Sequence, residues 1–237
     1  MFQEGQIGVY IHWPFCVSKC PYCDFNVYLK REHDPDAWLK SYLQAIRYYQ
    51  ERMQKREVVS IYFGGGTPSL MEPSEVDAII AQVKEGWRVS DDLEVTLEAN
   101  PTSTEIDKFN DFKAAGINRL SLGVQSLRDD ALEFLGRYHG RDDVLKAINV
   151  ASNVFERFTF DLIYGRPDQD IKAWEEELLE AVPMMNGHLS AYQLTIKEGT
   201  AFEQKVKRGS FAMPDEDVLA DFYTLTSDIM AAHGMPA

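Results

Sequence analysis

Short runs rich in β-branched and aromatic residues recur six times: GVYIHW from Gly8, VVSIYF from Val58, LEVTLEA from Leu93, RLSLGV from Arg119, RFTFDLIY from Arg157 and HLSAYQL from His188. Such runs, bounded by turn residues, read as strands. Between them apolar residues return at helical spacing. Asp34-Pro35, a cap followed by proline, opens a helix through about Gln54, and Pro73 opens another through about Glu85. Thr102 with Glu105 makes a capping box for a helix that Gly116 closes. Arg141 to Val154 and Ile171 to Met185 supply two more helices. From Thr200 to Ala237 the chain reads as helical, with a break near Pro214.

Strand, helix, strand at this cadence predicts an α/β fold with a parallel sheet and right-handed crossovers. Two architectures remain open: a doubly wound sheet, or a complete or partial (β/α) barrel. Both place ligands at the C-terminal ends of the strands. Composition agrees, since 237 residues at 45% hydrophobic content can bury a core without disulfide staples. No apolar run reaches the roughly 18 residues of a membrane span. The opening MFQEGQIGVYIHW lacks the basic and apolar regions of a secretory signal, so a cytoplasmic location is expected.

Lys+Arg number 24 against 38 Asp+Glu, a formal net charge of -14. That field repels phosphate backbones, and no nucleic-acid partner is expected. The acidic run from Pro167 to Glu180 reads as a solvated helix face, or more sharply as a docking face for an electron donor.

All three cysteines fall in PFCVSKCPYCDF, as Cys16, Cys20 and Cys23, directly after the first strand. An odd, clustered set fits a metal site better than a disulfide framework. Three thiolates on a loop can wrap three corners of an iron–sulfur cube and leave one iron for another ligand. A zinc knuckle with His12 or His33 as fourth ligand is the alternative.

The second strand ends in YFGGGTPSL, where consecutive glycines permit close ligand approach and expose N–H groups, or simply make a tight turn. No lysine follows, as a Walker loop would need. Glu98 and Gln125 end the next two strands and Asp161 lies in FDLIYG of the fifth, all inside apolar surroundings, and Arg137 follows in LGRYH. Either they are structural hydrogen-bond partners or they line one rim, offering acceptors to ammonium and hydroxyl groups and a guanidinium to a carboxylate.

Together, C-x3-C-x2-C, GGGTP, E-x-N-P, L-G-V-Q-S and D-L-I-Y-G resemble the radical S-adenosylmethionine (SAM) superfamily, from about Gly8 to Thr200. More narrowly they resemble the branch holding the oxygen-independent coproporphyrinogen III oxidases and the HemW haem chaperones. The resemblance implies a partial (β/α)6 barrel over residues 1–199. Residues 200–237 would be a helical extension, the start of a truncated C-terminal region. It implies a [4Fe–4S] cluster on Cys16, Cys20 and Cys23, with SAM contacted by Tyr10, Phe25, Gly65, Gly66, Thr67, Glu98, Gln125, Arg137 and Asp161. Tyr22 would pack near the adenine, with plain core packing as the alternative, and Thr195 aligns after strand six. An electron donor of the flavodoxin or ferredoxin type is implied as a partner.

The oxidases carry a fourth cysteine where this chain has Phe25, and a longer segment before the first strand. Both departures favour a HemW-like protein that binds haem and passes it to an acceptor haemoprotein. An oxidase-like radical enzyme of porphyrin metabolism is the runner-up and a zinc-stabilised binding module the third reading. The H-N-x-x-Y-W motif of HemW-like chains does not occur, and no haem ligand is assigned among His12, His33, His139, His188 and His233.

Overall fold

The computed structural model describes residues 5–29 and 34–236. Its elements begin with β1 (Gln6–Trp13), β2 (Phe15–Cys16), β3 (Tyr28–Leu29), α1 (Pro35–Arg52), β4 (Glu57–Gly65) and α2 (Pro73–Gly86). Then come β5 (Arg88–Ala99), α3 (Ser103–Ile106), α4 (Phe109–Ala114), β6 (Arg119–Gln125), α5 (Asp129–Phe134) and α6 (Arg141–Val154). Last are β7 (Arg157–Tyr164), α7 (Ile171–Ala181), β8 (Ser190–Gln193), α8 (Ala201–Lys207) and α9 (Glu216–Ala232).

Six strands form one parallel sheet in the order β1-β4-β5-β6-β7-β8. That order never reverses, so it lacks the switch point of a doubly wound sheet. Every crossover turns the same way, helices cover one face, and the sheet curls into a half-barrel with β1 and β8 as its open edges.

Side chains alternate across a strand, and here the two faces differ chemically. Ile61 and Phe63, Leu120 and Leu122, and Phe158 and Phe160 are buried in one core with Val76, Ile79, Phe109 and Val144 of the helices. Each such side chain contributes about 1.5–3 kcal/mol on burial. The alternate positions, including Tyr62, Glu98, Ser121 and Asp161, face the concave side. α9 closes one flank: its Thr226 accepts from Trp174 Nε1 at 2.9 Å, and Phe222 stacks on Tyr164.

Local patterning places the strands and most helices, with informative exceptions. Asp34 caps α1 as expected, accepting from Ala37 N–H. The single helix expected from Thr102 to Gly116 is instead two, α3 and α4. Glu105 turns inward and takes the Asn100 N–H at 2.7 Å and the Ser69 hydroxyl. Pro183 ends α7 in a short 3-10 turn, Val182–Met184, before the expected Met185.

The acidic run is not wholly a solvated face. Glu175 and Glu176 are exposed, but Glu177 is buried, and Glu180 pairs with Arg128 and Arg141. Glu177 accepts from Arg166 Nη2 at 2.9 Å, from Leu127 N–H at 2.8 Å and from the Ser126 hydroxyl. This network joins α7 to the loops after β6 and β7. Glu177→Ala leaves a buried guanidinium uncompensated and is expected to cost about 3–5 kcal/mol in urea unfolding. The double variant Arg166→Met/Glu177→Leu is expected to recover most of that loss; an equally unstable double variant would contradict the assignment.

Candidate cofactor-binding site

A cavity of about 630 Å³ opens at the C-terminal ends of the strands. Cys16, Cys20 and Cys23 all line it. Their loop is closed at its root, where β2 and β3 pair in parallel through Phe15 and Tyr28 and the Tyr28 N–H donates to the Pro14 carbonyl at 2.7 Å. On the far side Phe202 of α8 donates its N–H to the Pro21 carbonyl at 2.9 Å, while its ring packs on Tyr22.

The glycine run seats this loop. Gly66 N–H donates to Trp13 carbonyl at 2.7 Å and Thr67 N–H to Phe15 carbonyl at 2.9 Å. A Cβ at Gly66 would lie 2.5 Å from the Phe15 oxygen, and Gly65 has a φ of 109° with its Cβ position 2.6 Å from the His12 ring. Gly65 N–H donates to Glu98 at 3.2 Å. The N–H groups of Gly65 and Gly66, expected to be exposed to a ligand, are thus used inside the protein. The glycines serve close packing of β4 against the cysteine loop.

Burial and neighbouring polar groups act in opposite directions on the cysteine thiols. Burial pushes the Cys16 thiol up and a hydrogen bond from Thr67 opposes it; burial likewise raises Cys23, opposed by the Phe25 backbone. Arg137 Nη1 donates to Cys20 Sγ at 3.1 Å. Donors to sulfur favour thiolate ligands. Among the described residues no three His, Cys, Asp or Glu side chains converge on one point, as a single tetrahedral ion requires. His12, a candidate zinc ligand, has Nε2 on the Asn26 carbonyl at 3.1 Å and Nδ1 on the Tyr10 hydroxyl at 3.3 Å. His33 lies outside the described residues. The three thiols share one cavity wall.

The strand ends supply the polar wall. Burial raises the Glu98 carboxyl, although Tyr62 Oη donates to it at 2.8 Å. Gln125 sits at the end of β6 with φ 74°, beyond a register shift in the ladder with β7. A non-glycine residue in that region is strained, and such strain clusters at functional sites. Asp161 lies on β7, its neighbour across the ladder being Ser190 of β8.

Phe25, Gly65, Gly66, Thr67, Glu98, Gln125, Arg137 and Asp161 thus meet the cysteines on one cavity, joined by Tyr22 and Thr195. Phe25 is 58% exposed at its mouth. Tyr10 is not part of the cavity wall; it lies on the edge strand β1, 57% exposed and stacked on Tyr62. Sequence reading passed over Asn100, Ser121 and His139, which also line the cavity. A polar residue between leucines marks Ser121 in the sequence, and the E-x-N-P motif marks Asn100. His139 gave no signal: its Nε2 bonds the Val124 carbonyl at 3.0 Å, and burial beside Arg137 lowers it to about 4.

A sequence model of the Radical SAM superfamily matches residues 10–181, more than half of the chain. The chain is 34% identical over 230 residues to a radical S-adenosyl methionine domain-containing protein 1, mitochondrial, of Danio rerio, covering 97% of this chain and 52% of that protein. It is 38% identical over 236 residues to the heme chaperone HemW of Escherichia coli (strain K12), covering 99% of this chain and 61% of that one. It therefore spans between half and two thirds of the length of these curated relatives. The structure of coproporphyrinogen III oxidase (HemN) from Escherichia coli, described as a radical SAM enzyme, matches with a TM-score of 0.83 at 25% identity, over 98% of this chain and 54% of that chain. An archaeal Elp3 from Methanocaldococcus infernus shares the fold, with a TM-score of 0.64 at 19% identity over 95% of this chain and 54% of that chain. The half-barrel, the three thiols on its cavity and the match over residues 10–181 agree: the chain belongs to the radical SAM superfamily.

Proposed function

We propose that this protein holds a [4Fe–4S] cluster on Cys16, Cys20 and Cys23, binds SAM in the adjoining cavity, and acts as a HemW-like haem chaperone. The observation that carries the reading is the set of three thiols on one cavity, with Arg137 on the Cys20 sulfur, beside the polar strand ends. The cavity volume, about 630 Å³, suits a cofactor of that size. Relatives named HemW at 35 to 38% identity support the haem reading, as does Phe25 in place of a fourth cysteine. An oxidase-like radical enzyme is the second reading, favoured by the match to HemN. An electron donor and an acceptor haemoprotein complete the proposal. All three cysteines are free thiols, which suits a reducing compartment, and the proposed location is the cytoplasm.

When bound, the cluster and SAM supply one-electron chemistry. This chain's residues orient the cofactor. Glu98, Gln125 and Asp161 offer hydrogen-bonding groups to its amino and hydroxyl groups. Tyr10 is proposed as a more distant contact from the edge strand.

After anaerobic reconstitution the protein is expected to show iron–sulfur absorption with matching iron and sulfide, and Cys20→Ala to abolish it. A colourless zinc protein would sink the cluster reading. Haem titration of the protein should change the Soret band with no release of 5′-deoxyadenosine. Release coupled to coproporphyrinogen turnover would favour the second reading instead.

Burial pushes the Asp161 carboxyl from 3.8 up to about 7, against a hydrogen bond from Ser190. A folded-state value above the unfolded one means the folded protein binds more protons between them, so Asp161 lowers stability progressively as pH rises from about 4 to about 7. Asp161→Asn removes that cost. Its gain in stability over wild type should grow with pH across that window, by at most about 1.4 kcal/mol per unit, and level off above it. A pH-independent difference in thermal unfolding would contradict the assignment.

A further inference from the structure

The Arg137 side chain is half-buried in the cavity wall, and its guanidinium donates to three acceptors. Nη1 donates to Cys20 Sγ at 3.1 Å; Nη2 donates to the Gly123 carbonyl at 3.0 Å and to Asn100 Oδ1. Asn100 is itself oriented, because its Nδ2 donates to Thr67 Oγ1 at 3.3 Å and leaves Oδ1 for the guanidinium. Thus the loop after β4, the end of β5 and strand β6 together aim this one fork at one sulfur.

Charge balance singles out the sulfur. Among the described residues Arg137 forms no ion pair with a carboxylate. A guanidinium taken out of water without an anion is costly. Of its three acceptors, two are neutral amide oxygens. Among these three acceptors only the cysteine sulfur, as a metal-bound thiolate, carries negative charge; the Tyr22 hydroxyl and, at longer range, the Asp161 carboxyl also act on the guanidinium. On the other two thiols the hydrogen-bonding groups that oppose burial are neutral, the Thr67 hydroxyl and the Phe25 backbone, and the guanidinium acts on Cys16 only through space.

We propose that Arg137 is a positioning residue for the cluster: it fixes the Cys20 sulfur and raises the reduction potential of the [4Fe–4S] group. This rests on the cluster reading of the preceding subsection. Potentials of such clusters respond to net charge and to hydrogen bonds on the sulfurs. A cubane on three thiolates is anionic when oxidised and gains one more negative charge on reduction. A fixed cation beside it therefore stabilises the reduced state more than the oxidised one. A charged donor does so more strongly than a neutral one.

The test is a redox titration of the full chain, reconstituted anaerobically with iron and sulfide and without SAM, followed by electron paramagnetic resonance of the reduced cluster. Arg137→Gln should shift the midpoint to more negative potential at unchanged iron and sulfide content. Arg137→Lys, which keeps the charge and loses the fork, should fall between Gln and wild type. A Gln variant with the wild-type midpoint overturns the proposal. Loss of iron from both variants, with wild type still loaded, assigns Arg137 to loop folding alone and also overturns it. A wild-type protein that takes up no cluster overturns the underlying reading instead.

Discussion

Alternation of side chains across a curled parallel sheet is the constraint on which the rest of this molecule depends. The outward positions are apolar because helices cover them, and their burial supplies the driving force for the fold. The inward positions are released from that duty. They carry Tyr62, Glu98, Ser121 and Asp161, which an ordinary parallel sheet, covered on both faces, would not tolerate. The curl then gathers groups from separate strands around one space.

That space is completed from outside the sheet. Contacts at two levels seat the cysteine loop: Gly66 and Thr67 bond to its root at Trp13 and Phe15, and Phe202 bonds to Pro21 near its far end. The first requires that no side chain intrude between β4 and Phe15, hence glycine. The second draws α8, beyond the last strand, into the architecture of the site. Phe202 has its own small core with Leu135, Ile163 and Leu194, apart from the main one. The loop is therefore held by packing on both sides, and the Cys20 sulfur meets a donor, Arg137, that the loop alone could not supply.

Much of this was legible in the sequence, because it rests on local rules. Six alternating runs, the Asp34-Pro35 start and the helix over Arg141 to Val154 express periodicity and capping, which act over a few residues. So does the clustering of Cys16, Cys20 and Cys23 on one loop. Glu98 and Gln125 at strand ends and Asp161 within β7 pointed to one rim because a parallel sheet aligns all its C-terminal ends.

Other features depended on chain segments far apart, and only tertiary structure decided them. The choice of half-barrel over doubly wound sheet is a matter of strand order, on which periodicity is silent. Glu177 sits in a run that looks solvated, yet it turns inward because Arg166, Ser126 and the Leu127 N–H converge there. The Gly66 N–H was spent on the Trp13 carbonyl and the Gly65 N–H on the Glu98 carboxylate rather than left for a ligand. Arg137 meets Cys20 across 117 positions of chain, a contact that exists only once the sheet has curled. Spacing along the sequence determined which chemical groups this protein owns. The fold determined which of them share a low-dielectric space, where distance and desolvation set their strength.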